Sequence, residues 1–145
     1  MTTVAHLLTA KGGEIWSVSP DASVYKAIEY MAEKQVGALL VVDAGQVVGI
    51  VSERDYARKV ILQGRLPQTT LVREIMTDKV LFVRPEQSIE DCMSMMTVRH
   101  IRHLPVMQGD RLLGIISIGD VIKGLLTERE VRIEQLEQYI SGQYA

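Results

Sequence analysis

Gly49-Ile50-Val51-Ser52-Glu53-Arg54-Asp55 and Gly114-Ile115-Ile116-Ser117-Ile118-Gly119-Asp120 hold the residues whose types and spacing could do chemistry. Both read glycine, two β-branched apolar residues, serine, two variable positions and aspartate. Each closes an apolar run of strand character and opens a segment of helical character. Such a corner aims backbone N–H groups and the positive end of a helix at one point, which suits an anion. The serine caps the helix, and the aspartate one turn in is placed to grip hydroxyls. A ribose phosphate asks for this set of groups. The plainer alternative is a capping box, in which the serine bonds the N–H three residues on and the acid reaches back.

The second stretch starts 65 positions after the first, and that offset holds without a gap from Ile15 to Val60 and from Val80 to Leu125. Val18/Val83, Pro20/Pro85, Ser23/Ser88, Met31/Met96, Leu39/Leu104, Val41/Val106 and Asp55/Asp120 are identities at that offset. An internal repeat decides the architecture before any finer reading.

The elements that must position the two corners follow in order. Residues 3–10 read as a short helix ended by Lys11-Gly12-Gly13. Residues 15–19 alternate like a strand. Val24, Ala27, Ile28, Met31 and Ala32 form one apolar helical face. Residues 39–42 and 46–51 are strands joined at Asp43-Ala44-Gly45, and a helix from Ser52 reaches about Gln63. After a connector at 64–70, residues 71–76 resemble the opening helix again. A strand at 80–83, a helix on Ile89, Cys92, Met93 and Met96, a hairpin about Gln108-Gly109-Asp110 and a helix at 118–126 repeat the first half. Residues 127–140 read as an extra helix with Ile133, Leu136 and Ile140 on one side. The expected class is α+β: two β-α-β-β-α repeats, 1–66 and 67–145, packed with pseudo-twofold symmetry, plus short N-terminal and C-terminal helices. Neither half buries enough surface to stand alone.

Composition narrows the function. Hydrophobic residues make up 47% of 145 positions, which is a folded chain rather than a disordered one. A net charge of −2 gives no general affinity for nucleic acid. The single Cys92 forms no internal disulfide and suits a reducing compartment. No apolar run approaches a membrane span, and the first residues lack a signal-peptide pattern, so the expectation is cytoplasmic. There is no nucleophile–base pair, metal set or phosphate loop ending in Lys-Ser/Thr, so no enzyme is expected. His100 and His103 lack the companions a metal needs. Arg99, His100, Arg102 and His103 cluster before the second hairpin, where the first half has Lys34, Gln35, Gly37 and Ala38. The second site is therefore expected to be the better equipped for phosphate. Arg54 and Arg58, with Lys59 beside them, read either as a solvated helix face or as phosphate ligands. Trp16 reads as core or interface rather than as an adenine platform.

Two intact glycine–apolar–apolar–serine–x–x–aspartate motifs in register, with Glu74-Ile75-Met76-Thr77 before the second repeat, make the chain resemble a tandem pair of CBS domains, the Bateman module. The resemblance covers nearly the whole chain, and the stretches Gly49 to Val60 and Arg99 to Val106 are similar to stand-alone CBS-pair proteins. It implies a regulatory sensor, a homodimer without catalytic cofactor, that binds an adenosine ligand (AMP, ATP or NAD) in clefts between repeats. The sensor would act in trans on an unidentified regulated protein, with no nucleic-acid or membrane partner. It implies that Ser52, Arg54, Asp55, Ser117, Gly119, Asp120, Arg99, Arg102 and His103 serve ribose and phosphate. For the adenine it implies Val80, Leu104, Pro105, Ile116, Ala38 and Leu40. The rival reading is a protein–protein scaffold with vestigial nucleotide sites.

Overall fold

A computed structural model describes residues 2–141, and within it the chain divides into two compact units. One unit is Ile15–Val80; the other joins the residues up to Glu14 with those from Leu81 onward. The chain is a mixture of helices and small sheets, as the α+β reading expects.

In the unit Ile15–Val80, strand β1 (Ser17–Val18) runs parallel to β2 (Ala38–Asp43), which pairs antiparallel with β3 (Gln46–Ser52). The tight turn between β2 and β3 has positive φ at Ala44 (51°) and Gly45 (78°), as a two-residue hairpin of matching twist requires. Helix α2 (Val24–Lys34) starts where Ser23 Oγ accepts from the Lys26 N–H at 3.2 Å and ends at Gln35 in the left-handed region. Val24, Ala27 and Met31 from α2 meet Leu39, Val41 and Val51 in a core closed by Val60, Val72 and Ile75. After β3 comes α3 (Glu53–Tyr56), which widens into π-helical turns at Ala57–Ile61, with Leu62 N–H donating to Ala57 O at 3.1 Å. The sequence reading expects an unbroken α-helix there.

The other unit repeats this plan with α4 (Ile89–Arg99), β4 (His103–Gln108), β5 (Arg111–Ser117) and α5 (Ile118–Ser141), and adds α1 (Val4–Lys11). Its core joins Val4 and Leu7 of α1 to Ile89, Cys92, Met96, Leu104, Val106, Ile116 and Val121. The strand expected at 80–83 shrinks to a single parallel bridge, Val83 to Val106. Pro105 gives the reason. In the first unit Leu40 N–H donates to Trp16 O at 3.3 Å; the equivalent of Leu40 is Pro105, which has no N–H to donate. The expected separate helices at 118–126 and 127–140 are one continuous helix, α5. Nothing in Leu126-Thr127-Glu128-Arg129 stops a helix; the change there is from apolar to charged composition, with no glycine or proline. Among the described residues no helix is long and apolar enough to cross a membrane.

The compact units do not follow the chain in simple order. Each repeat is completed by the short segment that precedes the other repeat. Val4 N–H and Ala5 N–H donate to Gln87 O and Pro85 O, both at 2.9 Å; Val72 N–H and Arg73 N–H donate to Ala22 O and Pro20 O at 2.9 and 3.0 Å. Only a 3-10 turn, Val72–Glu74, forms where the sequence resembles a second opening helix.

Candidate functional site

Both corners are built as the repeat foretells. The β2–β3 ladder sets Ala38 opposite Ser52, and the β4–β5 ladder sets His103 opposite Ser117. The residue after each serine ties the corner to the preceding helix-to-strand joint: Glu53 N–H donates to Gly37 O at 3.0 Å, and Ile118 N–H to Arg102 O at 2.8 Å.

At the first corner Ser52 Oγ accepts from the Asp55 N–H at 3.2 Å, while Asp55 Oδ2 accepts from the Ser52 N–H at 3.0 Å. The capping box is thus closed in both directions. Asp55 Oδ1 is paired with Lys59 Nζ at 3.1 Å, and the same ammonium donates to Ile75 O at 2.8 Å. At the second corner Asp120 Oδ2 accepts from the Ser117 N–H at 2.8 Å and Ser117 Oγ accepts from the Asp120 N–H at 3.2 Å. Here the ammonium comes from α1: Lys11 Nζ donates to Asp120 Oδ2 and to Ile115 O, both at 2.8 Å.

The two corners therefore reach one arrangement, a capping aspartate held by a lysine that also bonds a backbone carbonyl, by different routes. Lys59 sits one turn beyond Asp55, a pairing the i,i+4 rule makes legible. The matching residue of the second repeat is Gly124, and a Cβ there would meet Leu7 Cδ2 at 2.6 Å. Glycine admits α1, and α1 supplies Lys11 in place of the missing lysine. Sequence reasoning treats Lys11 only as the end of a helix; its partner is 109 residues away, and no local pattern marks it. Burial pushes the Asp120 carboxyl up, but the Lys11 hydrogen bond, the Ser117 N–H, the Lys11 charge and the Ser117 hydroxyl outweigh it. The net effect holds the group below the ordinary value of 3.8.

The two motif glycines serve close packing. A Cβ on Gly49 would meet Met76 Sδ at 2.7 Å and Thr77 O at 2.9 Å; one on Gly114 would meet Leu8 Cδ2 at 2.9 Å. Met76 and Leu8 belong to the short segments that complete each unit.

The remaining expected site residues scatter by depth. Arg54, Arg99, Arg102 and Gly119 are exposed near the helix starts and ends, and His103 is half-buried at the start of β4. Ala38 and Leu40 are buried on β2, and Val80 is half-buried. Leu104 and Ile116 are 0% exposed and belong to the core with Val4 and Ile89. Strand alternation puts them there. Leu40 and Pro105 lie one step along their strands and point to the opposite face. Leu104 and Ile116 therefore line the packed interior of their unit. Trp16 packs edge-on to Tyr30 at 6.1 Å with Lys34 Nζ 4.5 Å from its ring centroid, which matches a core-edge role.

Three open grooves of about 360–400 Å³ lie elsewhere: beside β1 and α2, and along two flanks of α5. None of the three is lined by a corner residue. Among the described residues no group of three His, Cys, Asp or Glu side chains gathers as a metal site. Cys92 is buried in the core of its unit, and burial first, then the Asp91 charge, pushes its thiol up to about 11, which suits a packing residue.

The CBS domain matches residues 9–62 and again residues 72–127. The CBS domain-containing protein CBSX3, mitochondrial, of Arabidopsis thaliana is 38% identical over 99% of this chain and 74% of its own length. A protein of solved structure with CBS domains from Burkholderia ambifaria MC40-6 is 53% identical, with a TM-score of 0.85 over 87% of this chain and 95% of that one. The CBS-domain protein ATU1752 of Agrobacterium tumefaciens is 39% identical, with a TM-score of 0.81 over 85% and 98%.

Proposed function

Since the chain belongs to the CBS-domain family, with two such domains in tandem, we propose that it is a regulatory module. It binds an adenosine-containing ligand at its strand-to-helix corners, acts as a homodimer and passes the signal to a separate protein. It catalyses nothing itself. The carrying observation is the doubled corner. Each presents an aspartate fixed at a helix start and a lysine ammonium within hydrogen-bonding or ion-pair reach of it. Such a group can take a ribose by its hydroxyls and a phosphate by its charge. The cap occupies Oδ2 at each aspartate. A carboxylate offers about four lone-pair positions, so the cap does not exhaust the group. Arg54 at one corner and Arg99, Arg102 and His103 at the other are the phosphate-side residues in this reading. AMP, ATP and NAD share the groups it needs. The CBS pair of protein MJ0100, like this chain in fold (TM-score 0.78) at 22% identity, was crystallised with 5′-methylthioadenosine and S-adenosyl-L-methionine. At that identity it is a parallel of architecture only.

Calorimetric titration with AMP, ATP and NAD tests the proposal. Asp120→Asn keeps a capping oxygen but loses the charge, and is expected to weaken binding roughly tenfold to a hundredfold, the worth of one charge-assisted hydrogen bond. No binding below millimolar with any of the three, and no change with Asp120→Asn, sinks the sensor reading. The rival is a scaffold with vestigial sites, favoured by the fact that both aspartates already serve as caps and hold lysines. Native mass spectrometry of the purified protein separates them: a retained adenosine compound excludes the scaffold.

A further inference from the structure

From Arg129 to Ile140 every residue of α5 is exposed. Along the helix Ile122, Leu126, Ile133, Leu136 and Ile140 stand 44%, 55%, 46%, 58% and 82% exposed. With Arg129 between them, they recur at alternating steps of four and three. At about 100° per residue this stripe lies roughly 60–140° round the helix from Val121, which faces the core. It adjoins the face through which Val121 and Leu125 anchor α5 to its own unit, and Arg129, Ile133 and Leu136 share an open groove with Glu90 of α4. A four–three repeat held over nearly three heptads is the seam of a two-stranded coiled coil.

We propose that this face of α5 is covered by α5 of a second copy of the chain, running parallel. The charges beside the seam select both the partner and the direction. Arg132 precedes one seam position and Glu137 follows another, five residues apart. In a parallel pair Arg132 of one protomer meets Glu137 of the other, twice by symmetry. The antiparallel pair that best overlaps the stripe sets Glu130 against Glu130 and Arg132 against Arg132, and these repulsions offset the attraction it gains between Lys123 and Glu137, whereas the parallel pair sets no like charges together. Arg132 also reaches Glu128 of its own helix at 3.2 Å, so its side chain already lies along the helix surface. Arg129 is the one seam position without an apolar side chain; its long stem lets the charge reach water, and one polar seam residue fixes register at some loss of affinity. This inference gives the homodimer a surface and does not use the adenosine reading.

Cysteine pairing tests it on the full-length chain. Leu136→Cys places a thiol on the seam, and Glu134→Cys places one on the far side of the same helix; buried Cys92 offers neither a partner. Under mild oxidation at micromolar concentration Leu136→Cys is expected to form a covalent dimer at least tenfold faster than Glu134→Cys. Equal rates overturn the proposal, as does a mixture of Leu126→Cys and Leu136→Cys that cross-links to each other faster than Leu136→Cys does to itself. In sedimentation equilibrium, Ile133→Glu is expected to weaken self-association and Arg129→Leu to strengthen it, each by tenfold or more. An unchanged association constant in Ile133→Glu also overturns it. Retained AMP, ATP or NAD binding in that variant keeps this result separate from the fate of the adenosine reading.

Discussion

Asp120 feels opposed influences: burial favours its neutral form, while Lys11 and the Ser117 N–H favour the charged one and prevail. A carboxyl whose folded value lies below its unfolded value stabilises the fold fully above the unfolded value, near 3.8, and loses that contribution as the pH falls through the folded value. The stability gap between the protein and Asp120→Asn, measured by urea unfolding, should therefore be constant at neutral pH and shrink from about pH 4 downward. A gap that widens on acidification contradicts the assignment. Lys11→Met removes two hydrogen bonds from a side chain that is 34% exposed. Solvent screening limits the expected cost to about 1 kcal/mol. The sharper readout is the Asp120 carboxyl by NMR, whose pKa should rise because burial then acts with less opposition. The motif itself announces the serine–aspartate caps, and the i,i+4 spacing announces Lys59. Lys11 is different in kind, because only folding brings α1 beside β5 and α5.

Elements explain why one glycine of the motif region is fixed and another is not. A Cβ on Gly49 would press on Met76 Sδ and on the Thr77 backbone carbonyl, and a carbonyl in a two-way bridge with Ile50 has little room to move. Gly49→Ala should cost about 1–3 kcal/mol. Gly119, on the first turn of α5, would meet nothing nearer than Ser117 Oγ at 3.6 Å. Gly119→Ala should stabilise the chain by about 0.5–1 kcal/mol through helix propensity. Thermal unfolding of the two variants checks both signs. The same reasoning separates what the sequence made legible in the elements from what it hid. The 65-residue offset carries the paired hairpins, the serine caps of α2 and α4, and the left-handed ends at Gln35 and His100. It cannot carry the differences between repeats. Pro105 deletes a ladder bond that Leu40 makes, and the continuity of α5 depends on a stop signal being absent. The core positions of Leu104 and Ile116 follow from strand alternation.

Across the whole molecule, the exchange of short segments makes distant residues into equivalents. Val4 matches Val72, Leu7 matches Ile75 and Leu8 matches Met76, each in a segment that completes the repeat it does not precede. Leu7 is 8% exposed and Ile75 1%, so truncating either to alanine should cost about 2–5 kcal/mol. The cost should fall in different places. Leu7→Ala should lower amide-exchange protection first in α4, β4 and β5, although Leu7 precedes the other repeat. Ile75→Ala should do so first in α2, β2 and β3. A division of the chain at 66/67 forecasts the reverse, because it would group Leu7 with α2 and Ile75 with α4. The experiment also bears on how a signal would travel. Lys11 sits at the end of α1, four residues after Leu7, and holds Asp120 directly. A ligand that competes for Asp120 would loosen the end of a helix whose other residues seal the core of that unit. Ligand binding and α1 protection should then be coupled, and Leu7→Ala should change ligand affinity by at most the factor by which ligand changes the opening of α1. If Leu7→Ala leaves affinity unaltered while α1 opens freely, Lys11 is only a structural clasp, and the signal must leave the corner by another path.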